Sequence, residues 1–219
     1  AREKVKTDVL ASLTAGGFKM VTPKDAESPI VSSQRVFASI ATETRNTSTM
    51  LVILAIVGIF LYIVLRFRSV AYGLGATVAL IHDILIVLSA FAMLDGLLPF
   101  PTEFDQHLIA ALLTLLGYSI NDTVIVFDRI REYFNTRRNP ELKSTINDAL
   151  NSTLGRSINT SMTVLLTLLV MFFFGSDDIK GFCFAMIVGV VSGVYSTLFI
   201  ATPIVVDMRN WLGKKEKSA

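Results

Sequence analysis

The sequence predicts an all-α polytopic membrane protein: five transmembrane helices preceded by a truncated α/β extracytoplasmic domain. Three observations predict it. The 219 residues are 52% hydrophobic, with a mean hydropathy of +0.59, which is too apolar for an ordinary soluble domain. Five long apolar runs follow a polar start, each close to the ~20 residues that cross a bilayer core as a helix. In lipid the backbone must bond to itself, and runs this continuous do so as helices rather than as a closed barrel.

Residues 1–48 are soluble in character and read as the C-terminal remnant of an extracytoplasmic domain. Val5, Val9, Leu10 and Leu13 recur at helical spacing, and Gly16–Gly17 would stop that helix. Phe18–Val21 and Pro29–Val36 are candidate short strands around a loop rich in Pro, Asp and Glu. The chain opens on Ala1 without a signal-peptide pattern and so looks like a piece of a longer polypeptide.

The transmembrane bundle is placed at 49–208, with spans at 49–65, 70–94, 107–127, 157–174 and 181–206. Residues 209–219 form a cytoplasmic tail. Charge orients the bundle. Arg66 and Arg68 follow the first span, Arg129, Arg131, Arg137, Arg138 and Lys143 the third, and Arg209, Lys214, Lys215 and Lys217 the fifth. The alternate loops, Asp95–Gln106 and Gly175–Lys180, hold only Lys180. This bias makes the basic side cytoplasmic and leaves the N-terminal segment outside. Trp211 fits an interfacial anchor.

Small residues mark close helix contacts. Gly189 and Gly193 form GxxxG in the fifth span, Gly73, Gly75 and Ala76 thin the second, and Gly117 admits a neighbour or a slight kink in the third.

Function concentrates on polar groups inside the spans. Asp122 interrupts the third apolar run together with Asn121. A carboxylate there is costly in lipid, so its default reading is functional. Tyr118, Asn121 and Asp122 fall within one turn and are expected on one face. In the fourth span, Arg156, Asn159, Thr160, Thr163 and Thr167 recur at helical spacing as a single polar stripe, expected to face the bundle interior. Arg156 stands at the cytoplasmic entry of that span, able to reach inward toward Asp122 or to snorkel outward. The two spans are antiparallel neighbours, and Asp122 lies about 9 Å inward of Asp128 at ~1.5 Å per residue. The residue types therefore suit a proton-carrying carboxylate, Asp122, with Arg156 sensing its charge and Asn121 and Thr160 orienting or hydrating the pair. A structural ion pair is the competing reading. His82–Asp83 in the second span supplies a weaker candidate, either a second relay carboxylate or a hydrogen-bonded packing group, because adjacent residues point about 100° apart.

Other chemistries find no support. The sequence has no zinc spacing, no phosphate loop and no nucleophilic set in a believable frame. It predicts no cofactor, no metal and no enzyme activity. His82 and His107 are far apart in sequence, and Cys183, the single cysteine, lies in an apolar run where it reads as a buried thiol. The Arg129–Arg138 charges are simpler as topology determinants than as a nucleic-acid surface.

Gly117–Glu132, GYSINDTVIVFDRIRE, closely resembles the signature of the SecF family of bacterial protein-export membrane proteins. Thr153–Leu169, TLGRSINTSMTVLLTLL, and Ala79–Ile86, ALIHDILI, are similar to further motifs of that family. The resemblance runs over the whole chain and suits either a separate SecF or the SecF half of a fused SecDF. It implies a place in the resistance–nodulation–division superfamily, with the five spans as the second to sixth of a six-helix half. It implies an accessory role in the Sec translocase of the inner membrane, where the proton-motive force assists preprotein translocation and release. Asp122 and Arg156 match positions tied to proton transport. Implied partners are SecD, the SecYEG channel, membrane insertion factors such as YidC and YajC, unfolded preprotein and the lipid bilayer, with no nucleic acid. A different proton-coupled exporter of the superfamily and a non-conducting translocon scaffold are the alternatives.

Overall fold

The computed structural model describes residues 38–98, 105–138 and 141–217, with side chains described at 46–98, 105–138, 141–209 and Trp211. The helix and strands read from residues 1–36 lie outside the described residues. The described residues are helical throughout apart from short connections: α1 (Ala38–Phe67), α2 (Val70–Leu94), α3 (Gln106–Thr136), α4 (Leu142–Phe174), α5 (Asp177–Ser196), a π-helical turn (Thr197–Ala201) and α6 (Thr202–Lys217). Five helical stretches are long and apolar enough to cross a membrane, the last running from α5 through the π turn to Arg209. With the homology reported below, this makes the protein a multi-pass membrane protein.

Local chemistry sets the breaks. Arg68 adopts φ 52° between α1 and α2, a left-handed turn that lets two spans meet with almost no loop. Gly96, at φ 74°, follows the end of α2, where glycine meets no Cβ penalty. Asp105 caps α3 by accepting from the Leu108 amide at 2.9 Å. Asp177 and Asp178 open α5, placing negative charge at the positive end of its dipole.

The helices outrun the apolar runs. α3 continues to Thr136 and α4 begins at Leu142 rather than at 157. Hydropathy marks only the membrane-embedded part of a helix. The continuation of α3 and α4 past it forms a hairpin tied by Arg137–Asp148 at 2.6 Å and by Arg137 over the Tyr133 ring. Arg156, expected at a helix entry, is therefore well inside α4.

The unit Arg45–Ala219 is one bundle, and α5 is its centre, packed against α2, α3 and α4. Glycine makes that packing possible. A methyl at Gly189 would sit 2.5 Å from Leu115 Cδ2, and one at Gly75 would sit 2.7 Å from the Ala201 carbonyl oxygen in the π turn. Both close approaches fit the small-residue contacts read from the sequence. Gly117 differs: it is exposed, with open space where a side chain would be. α1 lies on the rim, with only 6% of its apolar window buried. Met93 and Phe174 are 79% and 86% exposed. A water-soluble surface rarely carries such patches, but acyl chains cover them without cost.

Two apolar layers hold the bundle together. One joins Leu80 and Val87 of α2 to Leu112, Leu115 and Val190. The other joins Phe67 and Tyr72 to Phe127, Ala201 and Val205. Along α3 the first layer ends at Leu116 and the second begins at Val126; along α5 they end at Val190 and begin again at Ala201. Between them lies a polar layer of Ser119, Asp122, Thr123, Ser192, Ser196 and Thr197, all buried.

Candidate functional site

Two carboxylates are buried among the described residues, Asp122 on α3 and Asp83 on α2, the latter bonded to the serines of the polar layer. Asp122 is 9% exposed. Its Oδ1 accepts from Ser157 Oγ of α4 at 2.6 Å, a short charge-assisted distance. Its Oδ2 is buried and bonds to no group among the described residues. One turn earlier, Tyr118 donates to Ser161 Oγ at 3.1 Å. Thus Asp122 and Tyr118 face the same helix, as their spacing predicts. Asn121 does not join them; it is exposed and makes no hydrogen bond among the described residues.

The α4 stripe is rotated away from the expected interior. Arg156, Asn159, Thr160, Thr163 and Thr167 are all exposed on this chain. The buried face of α4 is instead Thr153, Ser157, Ser161 and Leu168. The reason is size: Ser157 and Ser161 let α4 close on α3 and α5, where Arg and Asn side chains would hold it off. The threonines satisfy themselves along the helix. Thr160 donates to the Arg156 and Ser157 carbonyls at 3.0 Å, Thr163 to those of Asn159 and Thr160, and Thr167 to that of Thr163.

Arg156 lies beside the Asp122–Ser157 pair without closing on it. No carboxylate among the described residues is within the 4.0 Å of an ion pair to its guanidinium, although it directly precedes Ser157, the partner of Asp122. It lines a cleft at the basic end with Ile125, Asp128, Arg129, Glu132, Ser152 and Thr153. There Asp128 takes Arg66 at 3.3 Å and Glu132 takes Arg129 at 2.7 Å. Arg156 is thus a guanidinium left over beside a buried acid that has an oxygen to spare.

Asp83 has the opposite environment. It is fully buried. Its Oδ2 accepts from Ser119 at 2.8 Å and Ser196 at 2.9 Å, and its Oδ1 from Ser192 at 2.7 Å. His82 Nδ1 faces Oδ1 at 3.4 Å. His82 itself is only partly covered, as a neighbour pointing elsewhere on the helix should be. Sequence reasoning found Asp83 but missed Ser119, Ser157, Ser192 and Ser196. The available signal was Ser192 and Ser196, one turn apart around Gly193 in an otherwise apolar span.

Fold and site together define a polytopic helical bundle with two acids, Asp83 and Asp122, buried among its spans. The family described as "Protein export membrane protein SecD/SecF, C-terminal" matches residues 18–211, and the chain belongs to that family. It is 44% identical over 185 residues to the protein translocase subunit SecF of Rhodothermus marinus, covering 84% of this chain and 60% of the relative. It is 43% identical to that of Thermobaculum terrenum, covering 78% of this chain and 55% of the relative. The chain thus spans little more than half the length of these curated relatives. The crystal structure of SecDF from Thermus thermophilus matches with a TM-score of 0.73 at 35% identity, over 80% of this chain and 23% of that one. SecDF in a super-membrane-facing form matches with a TM-score of 0.72 at 34% identity, over 84% of this chain and 23% of that one.

Proposed function

We propose that this chain is the membrane part of a SecF subunit, separate or fused to SecD, that uses the proton-motive force to assist preprotein translocation across the bacterial cytoplasmic membrane. The observation that carries the reading is the asymmetry of Asp122: a buried carboxylate with one oxygen bonded to Ser157 and the other open. An acid so placed can gain and lose a proton without first breaking a hydrogen bond. Arg156, in the adjoining cleft, responds to the change in its charge. Neutralising the acid removes the Coulombic pull between them, and that difference biases a helix arrangement. One charge crossing ~100 mV supplies about 2.3 kcal/mol.

The basic end faces the cytoplasm in this reading, so the cleft admits protons to or from that side. Asn121, Arg156 and Asn159 are exposed within the apolar length of α3 and α4 and lack side-chain partners among the described residues. Such groups avoid lipid, and their occupant is the SecD half. The SecYEG channel, YidC and YajC, and an unfolded preprotein are the wider partners that the SecF relatives suggest. The protein is a coupling subunit and not an enzyme.

The test is proton flux in vesicles holding the complete SecD–SecF complex with the channel. A pH-sensitive dye should report flux that rises while a preprotein is being translocated. Translocation that proceeds equally well with the proton gradient collapsed, with no flux above that of vesicles lacking the complex, contradicts the reading.

A further inference from the structure

The two buried aspartates differ in how their acceptor sites are filled, and the difference divides their labour. An ionised carboxylate offers about four lone-pair positions. Asp83 has hydroxyls on both oxygens, Ser192 on Oδ1 and Ser119 and Ser196 on Oδ2, with the His82 ring 3.4 Å from Oδ1. All three hydroxyls lie within 2.9 Å. Asp122 has a single hydroxyl on one oxygen and nothing on the other. A proton has an open seat on Asp122 and none on Asp83 unless a serine gives way.

The helices that Asp83 joins are the ones that matter to Asp122. Asp83 projects from α2, Ser119 from α3, and Ser192 and Ser196 from α5. Ser119 lies one turn before Asp122, so holding Ser119 fixes the rotation of the face that carries Asp122. Gly193 leaves room for the junction: a methyl there would stand 3.3 Å from Ser119 Oγ and 3.7 Å from Asp83 Oδ2. Directly after Ser196 comes the π turn, whose looser hydrogen bonding commonly marks a place where a helix changes register. It is pinned from both directions. Thr197 Oγ1 pairs with Thr123 Oγ1 at 2.9 Å, and Thr202 donates to the Thr197 carbonyl at 3.0 Å.

From this we infer that Asp83 is a positioning residue, not a proton carrier: it ties α2 to α3 and α5 and sets the π turn, so that of the two buried acids Asp122 is the one that exchanges protons. The inference rests on the proton-coupled reading above. Among the described residues, His82 is the one other titratable group beside Asp83; α3 and α5 present the hydroxyls of Ser119, Ser192 and Ser196 to Asp83, and the Tyr195 ring of α5 packs near His82. Asp122 faces Ser157 of α4, the neighbour in sequence of Arg156, whose charge is the one felt at Asp122.

The variants are Asp83→Asn and the double change Ser192→Ala/Ser196→Ala, made in the full complex, with Ser192→Ala alone as the mildest perturbation. The serines cannot carry net charge, so they separate tying from relaying. Flux against pH is measured in vesicles, and amide hydrogen exchange is measured across the π turn. A positioning role predicts that Asp83→Asn and the double serine variant behave alike. Each loses about tenfold in flux, the scale of losing hydrogen bonds to a charged group, each displaces the pH profile in the same direction, and each exchanges faster at Thr197–Ala201. Ser192→Ala falls between them and the unmodified complex. Abolished flux in Asp83→Asn beside unaltered flux in the serine variants would make Asp83 a carrier and overturn the inference. Unaltered flux and exchange in all three would also overturn it. Absence of flux in the unmodified complex is the distinct result that sinks the proton-coupled reading, whatever the exchange data show at the π turn.

Discussion

Asp122→Asn abolishes proton flux through the assembled complex, leaving vesicles no more permeable than those without it. The substitution is nearly isosteric. Its side-chain oxygen still accepts from Ser157, so the α3–α4 contact made at 2.6 Å survives, as do the apolar layers on either side. What disappears is exchange, because an amide neither binds nor releases a proton in this range. The cost in stability is bounded. The new NH₂ occupies the place of the unbonded Oδ2, and a buried donor without a partner costs about 1–3 kcal/mol. A well-packed bundle tolerates that. The variant should therefore accumulate and associate with its partner while losing flux and potential-dependent translocation together. The measurement is dye-reported flux in vesicles, matched to complex content by quantitative blotting. Flux equal to that of the unmodified protein would remove Asp122 from the path.

Arg156→Gln has the second largest effect. Two unit charges 4 Å apart interact by about 4 kcal/mol at an effective dielectric of 20, and by half that at twice the distance. Even the smaller figure is a factor of about 30 in an equilibrium. Arg156 has no ion pair of its own among the described residues, and its field reaches Asp122. Without it, the charged form of Asp122 loses a neighbouring cation, and flux should fall about 30-fold. Arg156→Lys keeps the point charge and gives up the planar fork, so it should recover much of that loss. The outcome separates coupling from topology. Arg129, Arg131, Arg137, Arg138 and Lys143 remain at the same end, so insertion is unchanged in either variant. If Arg156 served only to orient the chain, Arg156→Gln would conduct like the unmodified protein, and the rate comparison would show it.

Much of this architecture is legible in the residues because lipid penalises so few patterns so heavily. Asp122 stood out because a carboxylate inside an apolar run is costly in lipid unless it is bonded or functional. The GxxxG of α5 announced its packing, and the structure puts Leu115 where a methyl would have been. Three features were not legible. The rotation of α4 was misread because Arg156, Asn159 and the threonines form the more polar stripe, whereas Ser157 and Ser161 form the smaller one. In a membrane bundle the tighter seam goes to the smaller side chains. The serines around Asp83 were silent because an intramembrane serine can bond its own helix, as Ser196 also does to Gly193, and so costs little wherever it falls. The helix ends were short because α3 and α4 continue beyond the apolar stretch as ordinary amphipathic helix, where hydropathy has nothing to register.

The residues also suggested that Asn121 and Thr160 attend the acid from within the bundle. In this chain both are on the outside, Thr160 bonded to its own backbone. Ser157, which no pattern singled out, makes the contact instead.

Proton exchange at the Asp122 carboxyl group is open to direct measurement. Infrared difference spectroscopy of the full complex, taken between high and low pH, reads it through the carbonyl stretch of a protonated acid in an apolar setting. The expected result is a titrating band that vanishes in Asp122→Asn and persists in Asp83→Asn. A band that survives Asp122→Asn, or no titrating carboxyl band at all, would contradict it.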